Sequence, residues 1–124
     1  MTFVFGSNTA GIHGAGAAKY ALKFCGAIWG VGFGHCGDSF AIPTKSAQLR
    51  TLPIPVIRDY VNEFLKYARA NPSINFKITR IGCGLAGYTD AEIAPLFIHA
   101  PDNCVFDTAW KPYLRASFIY WGTM

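Results

Sequence analysis

The sequence has no apolar run long enough to cross a bilayer and no recognisable secretion signal. A membrane-spanning helix needs about 20 consecutive apolar residues, whereas polar or charged residues interrupt every hydrophobic stretch of this chain. The first residues, Met1–Gly6, show neither a basic start nor a long apolar segment. We therefore expect a cytoplasmic protein that has no membrane partner.

Charged residues and closely paired cysteines are also scarce. Charged residues make up 15% of the 124 positions and hydrophobic residues 52%, a balance that excludes a disordered chain and predicts one packed domain over residues 1–124. No two of the four cysteines stand two residues apart, and the three histidines follow no metal-ligand spacing. The sequence thus indicates no metal site, no disulfide framework and no cofactor.

The net charge of +4 comes from lysines and arginines scattered along the chain. Such a charge favours anionic ligands in general. There is no basic run with interleaved aromatic residues, which single-strand-binding proteins show. A small phosphate-bearing partner therefore fits better than nucleic acid, although the basic charge leaves a nucleic-acid-binding or purely structural domain as the weaker alternative.

Hydrophobic periodicity predicts an alternation of strands and helices, which is typical of an α/β domain whose sheet is covered on both faces. The segment 26–37 is rich in glycine and predicted to be irregular, and the placement of the tail 110–124 stays open, with strand character at 117–121. The predicted order is a strand at 2–6, a helix from about 15 to 24, a strand at 39–43, a helix at 53–70, a strand at 75–81, a helix from 89 or 90 to about 98, and a strand at 104–106.

Two glycine-rich loops, 6–16 and 82–88, each follow a predicted strand and precede a predicted helix. Backbone N–H groups at a helix start lack intrahelical partners and carry partial positive charge, and glycine lets the main chain approach a ligand closely. Tight packing alone is an alternative explanation for either loop. Two such loops in one short chain predict a crevice for a phosphate-bearing ligand at the carboxyl ends of the strands.

Two other phosphate-binding motifs are excluded. A Walker A loop ends in Gly-Lys-Ser/Thr, but Gly16 is followed by two alanines. Residues 32–37 match the spacing GxGxxG, yet no strand is predicted before them and no helix after them. A dinucleotide-dependent oxidoreductase is therefore not indicated.

At the two glycine loops the sequence resembles a macro domain, the family that binds and hydrolyses ADP-ribose derivatives. The resemblance covers residues 2–106 and is closest to short macro-like proteins of bacteria and phages, with loops similar to those of terminal ADP-ribose glycohydrolases. It implies a three-layer α/β/α domain with a mixed, mostly parallel sheet. The segments that carry it are Phe3–Asn8, Gly14–Ala18, Ala41–Lys45 and Arg80–Leu85.

The resemblance also implies roles for individual residues. Lys45 would attack the anomeric carbon of the ligand, which requires its pKa to fall from the usual value of about 10.4; otherwise Lys45 is a solvated loop lysine. Asn8 would lie near the distal ribose. The remaining ligand contacts would come from Ser7, Gly14, Ala15, Gly16, Gly82, Cys83, Gly84, Leu85, Ala86, Gly87 and Tyr88.

His13 is a second candidate catalytic residue. It lies inside the first glycine loop, where an imidazole, whose ordinary pKa is about 6.5, is suited to general acid–base catalysis on a phosphomonoester. A loop histidine also serves simply to position the ribose or the backbone through hydrogen bonds.

The chain departs from the family in two places. Ala86 stands where the glycohydrolase-like members have an acidic residue, and Asp90 either compensates for it or is a helix N-terminal charge. The adenine-binding aspartate has no counterpart, so adenine contacts would come from elsewhere, such as the aromatic tail. Two functions follow: a hydrolase acting on ADP-ribose 1″-phosphate or ADP-ribosyl esters, or a binding module for ADP-ribose or a related NAD-derived nucleotide without turnover.

Overall fold

The computed structural model describes all residues, 1–124. None of its helices combines the length and the hydropathy that a bilayer-spanning helix requires. The strands are β1 (Thr2–Asn8), β2 (Gly34–Cys36), β3 (Ser39–Lys45), β4 (Phe76–Ile78), β5 (Cys104–Asp107) and β6 (Tyr120–Gly122). The helices are α1 (Gly16–Phe24), α2 (Ile54–Ala70) and α3 (Asp90–Ile93), and two 3-10 helices span Ala94–Phe97 and Thr108–Tyr113.

The six strands form one sheet in the order β2-β3-β1-β4-β5-β6. Every neighbouring pair is parallel except β2 and β3, which are antiparallel. The prediction of an α/β fold with a mixed, mostly parallel sheet is confirmed.

Helices pack on both faces of the sheet, but unequally. Side chains along β1 alternate between the two faces of the sheet. Phe3 and Phe5 lie on the face that α1 covers, where they pack with the small residues Ala18 and Ala21. Val4 points to the opposite face and joins the main core of 20 buried residues. On that side α2 buries its apolar stripe, whose members are Ile57, Val61, Phe64, Leu65 and Ala68.

The glycine-rich segment 26–37, predicted to be irregular, contains the edge strand β2. Its three residues pair with β3 across a tight turn in which Gly37 has a φ of +56°. Three residues that include a glycine are too few for period-2 alternation to show in the sequence. The GxGxxG match therefore lies in a β-hairpin, which agrees with the exclusion of a dinucleotide-binding motif.

Two predicted elements are shorter than expected. The strand predicted at 75–81 ends at Ile78. The helix predicted from 89 or 90 to 98 is a single α-helical turn, α3, followed by a 3-10 helix. Pro95 explains the change, because it has no N–H group with which to continue the α-helical hydrogen bonds. Thr89 caps α3 in a reciprocal capping box with Glu92.

The C-terminal segment 110–124 is part of the core. Trp110 is fully buried and packs against Phe97 and Phe106, while Phe118 lies 4.8 Å from Phe106 between ring centroids. Strand β6 lies at 120–122, close to the predicted 117–121, and pairs in parallel with β5.

The strand order places a change of direction at β1. After β1 the chain passes through α1 and β2 to β3, which lies on one side of β1 in the sheet. Helix α2 then leads to β4 on the other side of β1, and the chain continues outward to β5. Loops that leave neighbouring parallel strands in opposite directions open a crevice between them at the carboxyl ends. Both glycine-rich loops begin at this point, after β1 and after β4.

Candidate functional site

A cleft of about 640 Å³ lies at the carboxyl ends of β1, β3 and β4, and both glycine-rich loops line it. Among the residues predicted to form a site, His13, Gly87 and Tyr88 do not line the cleft. Those that do are Ser7, Asn8, Gly14, Ala15, Gly16, Lys45, Gly82, Cys83, Gly84, Leu85 and Ala86.

The first loop is held in shape by Asn8. Its Nδ2 donates to the carbonyl of Ile12 at 2.8 Å, and its Oδ1 accepts from the N–H of Ile12 at 2.9 Å. A Cβ on Gly32 would lie 2.1 Å from the carbonyl oxygen of Asn8, so the segment 26–33 can pack here only with glycine at that position. The amide of Asn8 therefore shapes the loop, and Asn8 also lines the cleft.

His13 is buried beneath the first loop, with 1% of its surface exposed. Its Nε2 lies 3.0 Å from the carbonyl of Ile28, and its Nδ1 lies 2.8 Å from Oγ of Ser7. Since a carbonyl can only accept, Nε2 carries a proton, and in the Nε2–H tautomer Nδ1 accepts from the Ser7 hydroxyl. Both ring nitrogens are thus occupied, and His13 reaches the cleft only through Ser7.

The second loop is anchored at both of its ends. Gly82 has a φ of +72°, and Gly87 has a φ of +85°, conformations that favour glycine. The hydroxyl of Tyr88 donates to the carbonyl of Leu52 at 2.6 Å, and the hydroxyl of Thr51 donates to the carbonyl of Ala86 at 2.8 Å. Tyr88 and Gly87 therefore support the loop from outside the cleft.

Backbone N–H groups of both loops lack a partner within the chain. Strands and helices satisfy most of the backbone, but these N–H groups donate no hydrogen bond, and the residues that carry them line the cleft. In the second loop, unpaired N–H groups stand next to N–H groups that do donate hydrogen bonds, such as those of Cys83 and Gly87. The unpaired N–H groups belong to Gly14, Ala15, Gly16, Gly82, Gly84, Leu85 and Ala86.

Lys45 is the cation of the cleft that has no carboxylate partner. It ends β3 beside Asn8, and its side chain makes no hydrogen bond or ion pair. Its charge is therefore available to an anionic ligand bound by the loops.

Arg80 also lines the cleft, but it is paired. Its Nε and Nη2 each lie 2.8 Å from a carboxylate oxygen of Asp90, and Nε1 of Trp110 donates to the same carboxylate at 2.8 Å. The hydrogen bond from Arg80 holds the pKa of Asp90 below its ordinary value, assisted by the one from Trp110. Asp90 is therefore engaged by Arg80 and Trp110, and it does not line the cleft.

Cys83 is not a nucleophile in this setting. Burial, together with the negative charge of Asp90, raises the pKa of its thiol to about 12, so the reactive thiolate is not formed near neutral pH. No Asp or Glu side chain lines the cleft. The arrangement can bind an oxyanion, but the carboxylate pair of a typical glycosidase is missing.

Sequence reasoning missed part of the lining. Thr44 lies near the end of β3 and Thr79 directly follows β4, and because the carboxyl ends of these strands meet here, their position carried a signal. Leu49 and Met124 are far from both loops in sequence, and only the tertiary structure brings them to the cleft. The other lining residues outside the predicted set are Gly6, Ile12, Ala17, Ala18, Arg80 and Ile81.

Of the aromatic tail, only Met124 reaches the cleft. Trp110 is in the core, and Trp121 packs under Nζ of Lys77, 4.3 Å from the ring centroid. The tail therefore supplies no aromatic ring to a ligand in this cleft.

Comparison of the chain with protein-family models, with curated proteins and with solved structures found no match.

Proposed function

We propose that the protein binds ADP-ribose or a related nucleotide through its diphosphate and releases it unchanged. The observation that carries the proposal is that two loops line one cleft with residues whose backbone N–H groups are unpaired. Such groups are strong donors that favour oxyanions, and a helix start adds partial positive charge at α1.

The size and charge of the cleft support a nucleotide. Its volume of about 640 Å³ falls inside the range of roughly 300–1,000 Å³ typical of sites for small molecules and cofactors. Lys45 adds a charge without a partner, and no carboxylate of the lining opposes an anion. The resemblance to macro domains at both loops makes ADP-ribose the first ligand to test.

Binding without turnover is favoured because the cleft lacks an acid–base pair. The titratable side chains that line it are Lys45, Arg80 and Cys83. Arg80 is held by Asp90, and the pKa of Cys83 is raised to about 12. Proton transfer to or from a ligand would require a group that changes its charge near neutral pH.

One observation favours hydrolysis as a second candidate function. The Ser7 hydroxyl, on the cleft wall, donates to Nδ1 of His13, whose Nε2–H is held by a carbonyl. In this candidate, Oγ of Ser7 would bond to phosphorus while its proton passes to Nδ1. Water in the cleft would protonate the leaving oxygen as the ester bond breaks, the resulting hydroxide would attack phosphorus to release phosphate, and Oγ of Ser7 would regain its proton from Nδ1 of His13.

Two measurements test the proposal. Calorimetry of the full chain with ADP-ribose should show saturable binding, and the absence of any binding would contradict the proposal. Incubation with ADP-ribose 1″-phosphate and with an ADP-ribosyl ester should release no product. Release that is lost in Ser7→Ala but kept in an exposed control, Ser117→Ala, would establish the hydrolase instead.

A further inference from the structure

The unpaired hydrogen-bonding groups of the two loops are divided unevenly between donors and acceptors. In the second loop the carbonyls of Gly82, Gly84 and Ala86 all accept, from the Tyr88 N–H, the Gly87 N–H and the Thr51 hydroxyl. The N–H groups of those same three residues stay unpaired. This loop therefore offers a ligand mainly donors.

The first loop shows the same division. The carbonyl of Ile12 accepts from Asn8 Nδ2, and the carbonyl of Ala15 accepts from the N–H of Lys19. The N–H groups of Gly14 and Ala15 are left over. The carbonyls of Gly14, Cys83 and Leu85 also accept no hydrogen bond, but both walls of the cleft still have more unpaired N–H groups than unpaired carbonyls, which suits a ligand group that only accepts hydrogen bonds.

The neutral polar side chains of the lining are bonded inside the chain. Asn8 uses both atoms of its amide on Ile12, and the Ser7 hydroxyl donates to His13. The hydroxyls of Thr44 and Thr79 donate to backbone carbonyls of β1. These four side chains are only 4–6% exposed and already have partners within the chain, and no carboxylate lines the cleft, so the lining offers no free carboxylate acceptor to a base or a sugar diol.

The outer part of the cleft is apolar. Four exposed aliphatic or thioether side chains line it, and Leu85, at the tip of the second loop, is the most exposed of them at 76%. Such side chains can pack against planar or apolar groups of a ligand, but they form no hydrogen bonds that would distinguish one base from another. The four are Ile12, Leu49, Leu85 and Met124.

We propose that the cleft selects the pyrophosphate group and is indifferent to the nucleobase, so that its ligand class is nucleoside diphosphate esters in general. This inference rests on the proposed function and narrows it. A site that reads a base through buried polar groups rejects the wrong base strongly, because those groups are then left unpaired. In this cleft the buried polar side chains already have partners within the chain, so a wrong base leaves none of them unpaired, whereas the pyrophosphate oxygens match the unpaired N–H groups.

The test is calorimetry of the full chain with four probes: ADP-ribose, UDP-glucose, inorganic pyrophosphate and adenosine. We expect ADP-ribose and UDP-glucose to bind with dissociation constants less than about tenfold apart, which corresponds to about 1.4 kcal/mol. Pyrophosphate should displace both, and adenosine should show no binding.

Base indifference would be overturned by a larger preference for ADP-ribose, by binding of adenosine, or by failure of pyrophosphate to compete. Each of these outcomes would still be consistent with nucleotide binding. If no probe binds, both proposals fail. The variant Lys45→Met should weaken ADP-ribose and UDP-glucose by the same factor, about tenfold, while Lys66→Met, on the exposed surface of α2, should change neither. Unequal losses in Lys45→Met would also count against base indifference.

Discussion

The side-chain amide of Asn8 forms a closed pair of hydrogen bonds with the backbone of Ile12, accepting from its N–H at 2.9 Å and donating to its carbonyl at 2.8 Å. Asn8 is 5% exposed. The pair fixes the path of the first loop immediately before the residues whose unpaired N–H groups line the cleft. A polar contact inside the protein thus helps to position the proposed binding groups.

Replacing Asn8 with alanine should therefore reduce both stability and binding. The two backbone groups of Ile12 would lose their partners, and we expect the free energy of unfolding to fall by about 1–3 kcal/mol. Urea denaturation and calorimetry with ADP-ribose measure the two effects. The control is Asn62→Ala, at an exposed position of α2, and equal stability of the two variants would show that the pair does not shape the loop.

The variant Gly84→Val should abolish most binding while leaving the fold intact. A Cβ on Gly84 meets no atom within 4 Å, so we expect stability to change by less than about 0.5 kcal/mol. A branched side chain would occupy the space of the phosphate, and affinity should fall at least about tenfold. Thermal unfolding and calorimetry measure these effects, with Ala116→Val at an exposed turn as the control.

Two outcomes separate the roles of the glycines. Unchanged affinity in Gly84→Val would contradict the proposed phosphate site. By contrast, Gly32→Ala should destabilise the protein, because the new Cβ would lie 2.1 Å from the carbonyl oxygen of Asn8. Gly32 is therefore required by packing, whereas Gly84 leaves space for a ligand.

His13→Ala should destabilise the protein by about 2–4 kcal/mol. The substitution removes a buried ring that packs edge-on against Phe5, with centroids 5.3 Å apart, and it leaves the Ser7 hydroxyl and the Ile28 carbonyl without a partner. Chemical denaturation checks this, with His99→Ala at an exposed position as the control. A fully stable His13→Ala protein would show that the histidine does not hold the loop.

The bond between Arg80 and Asp90 predicts a pH dependence of stability. The pKa of Asp90 is lowered in the folded protein, chiefly by the hydrogen bond from Arg80, so the unfolded chain binds the proton more tightly than the folded one. The contribution of Asp90 is therefore complete well above its ordinary pKa of about 3.9 and is lost as the pH falls through that value toward the lower folded pKa.

The measurement compares the wild type with Asp90→Asn by urea denaturation from pH 7 down to pH 3. We expect the wild type to be more stable at pH 7 and the difference to shrink below about pH 4. Asp59→Asn, an exposed position on α2, should show no such trend. A difference that grows toward low pH would contradict the assigned direction of the pKa shift.

Much of the fold was predictable because its signals are local. The stripe of α2 predicted a helix at 53–70, and the helix lies at 54–70. Short apolar runs predicted β1, β3 and β5. The strand β2 was missed because three residues carry no periodic signal, and the helix after Thr89 was predicted too long because the effect of Pro95 was overlooked.

The amino-acid sequence by itself determined which loops are rich in glycine and that each follows a strand, because glycine content and hydrophobic periodicity are properties of neighbouring residues. Tertiary structure decided which groups remain free. In the folded protein His13 is hydrogen-bonded to Ser7 and Ile28, and Asp90 is hydrogen-bonded to Arg80 and Trp110. Leu49 and Met124 lie beside the cleft only in the folded chain. Whether a donor or acceptor is left for a ligand depends on partners distant in sequence, and folding alone brings those partners together.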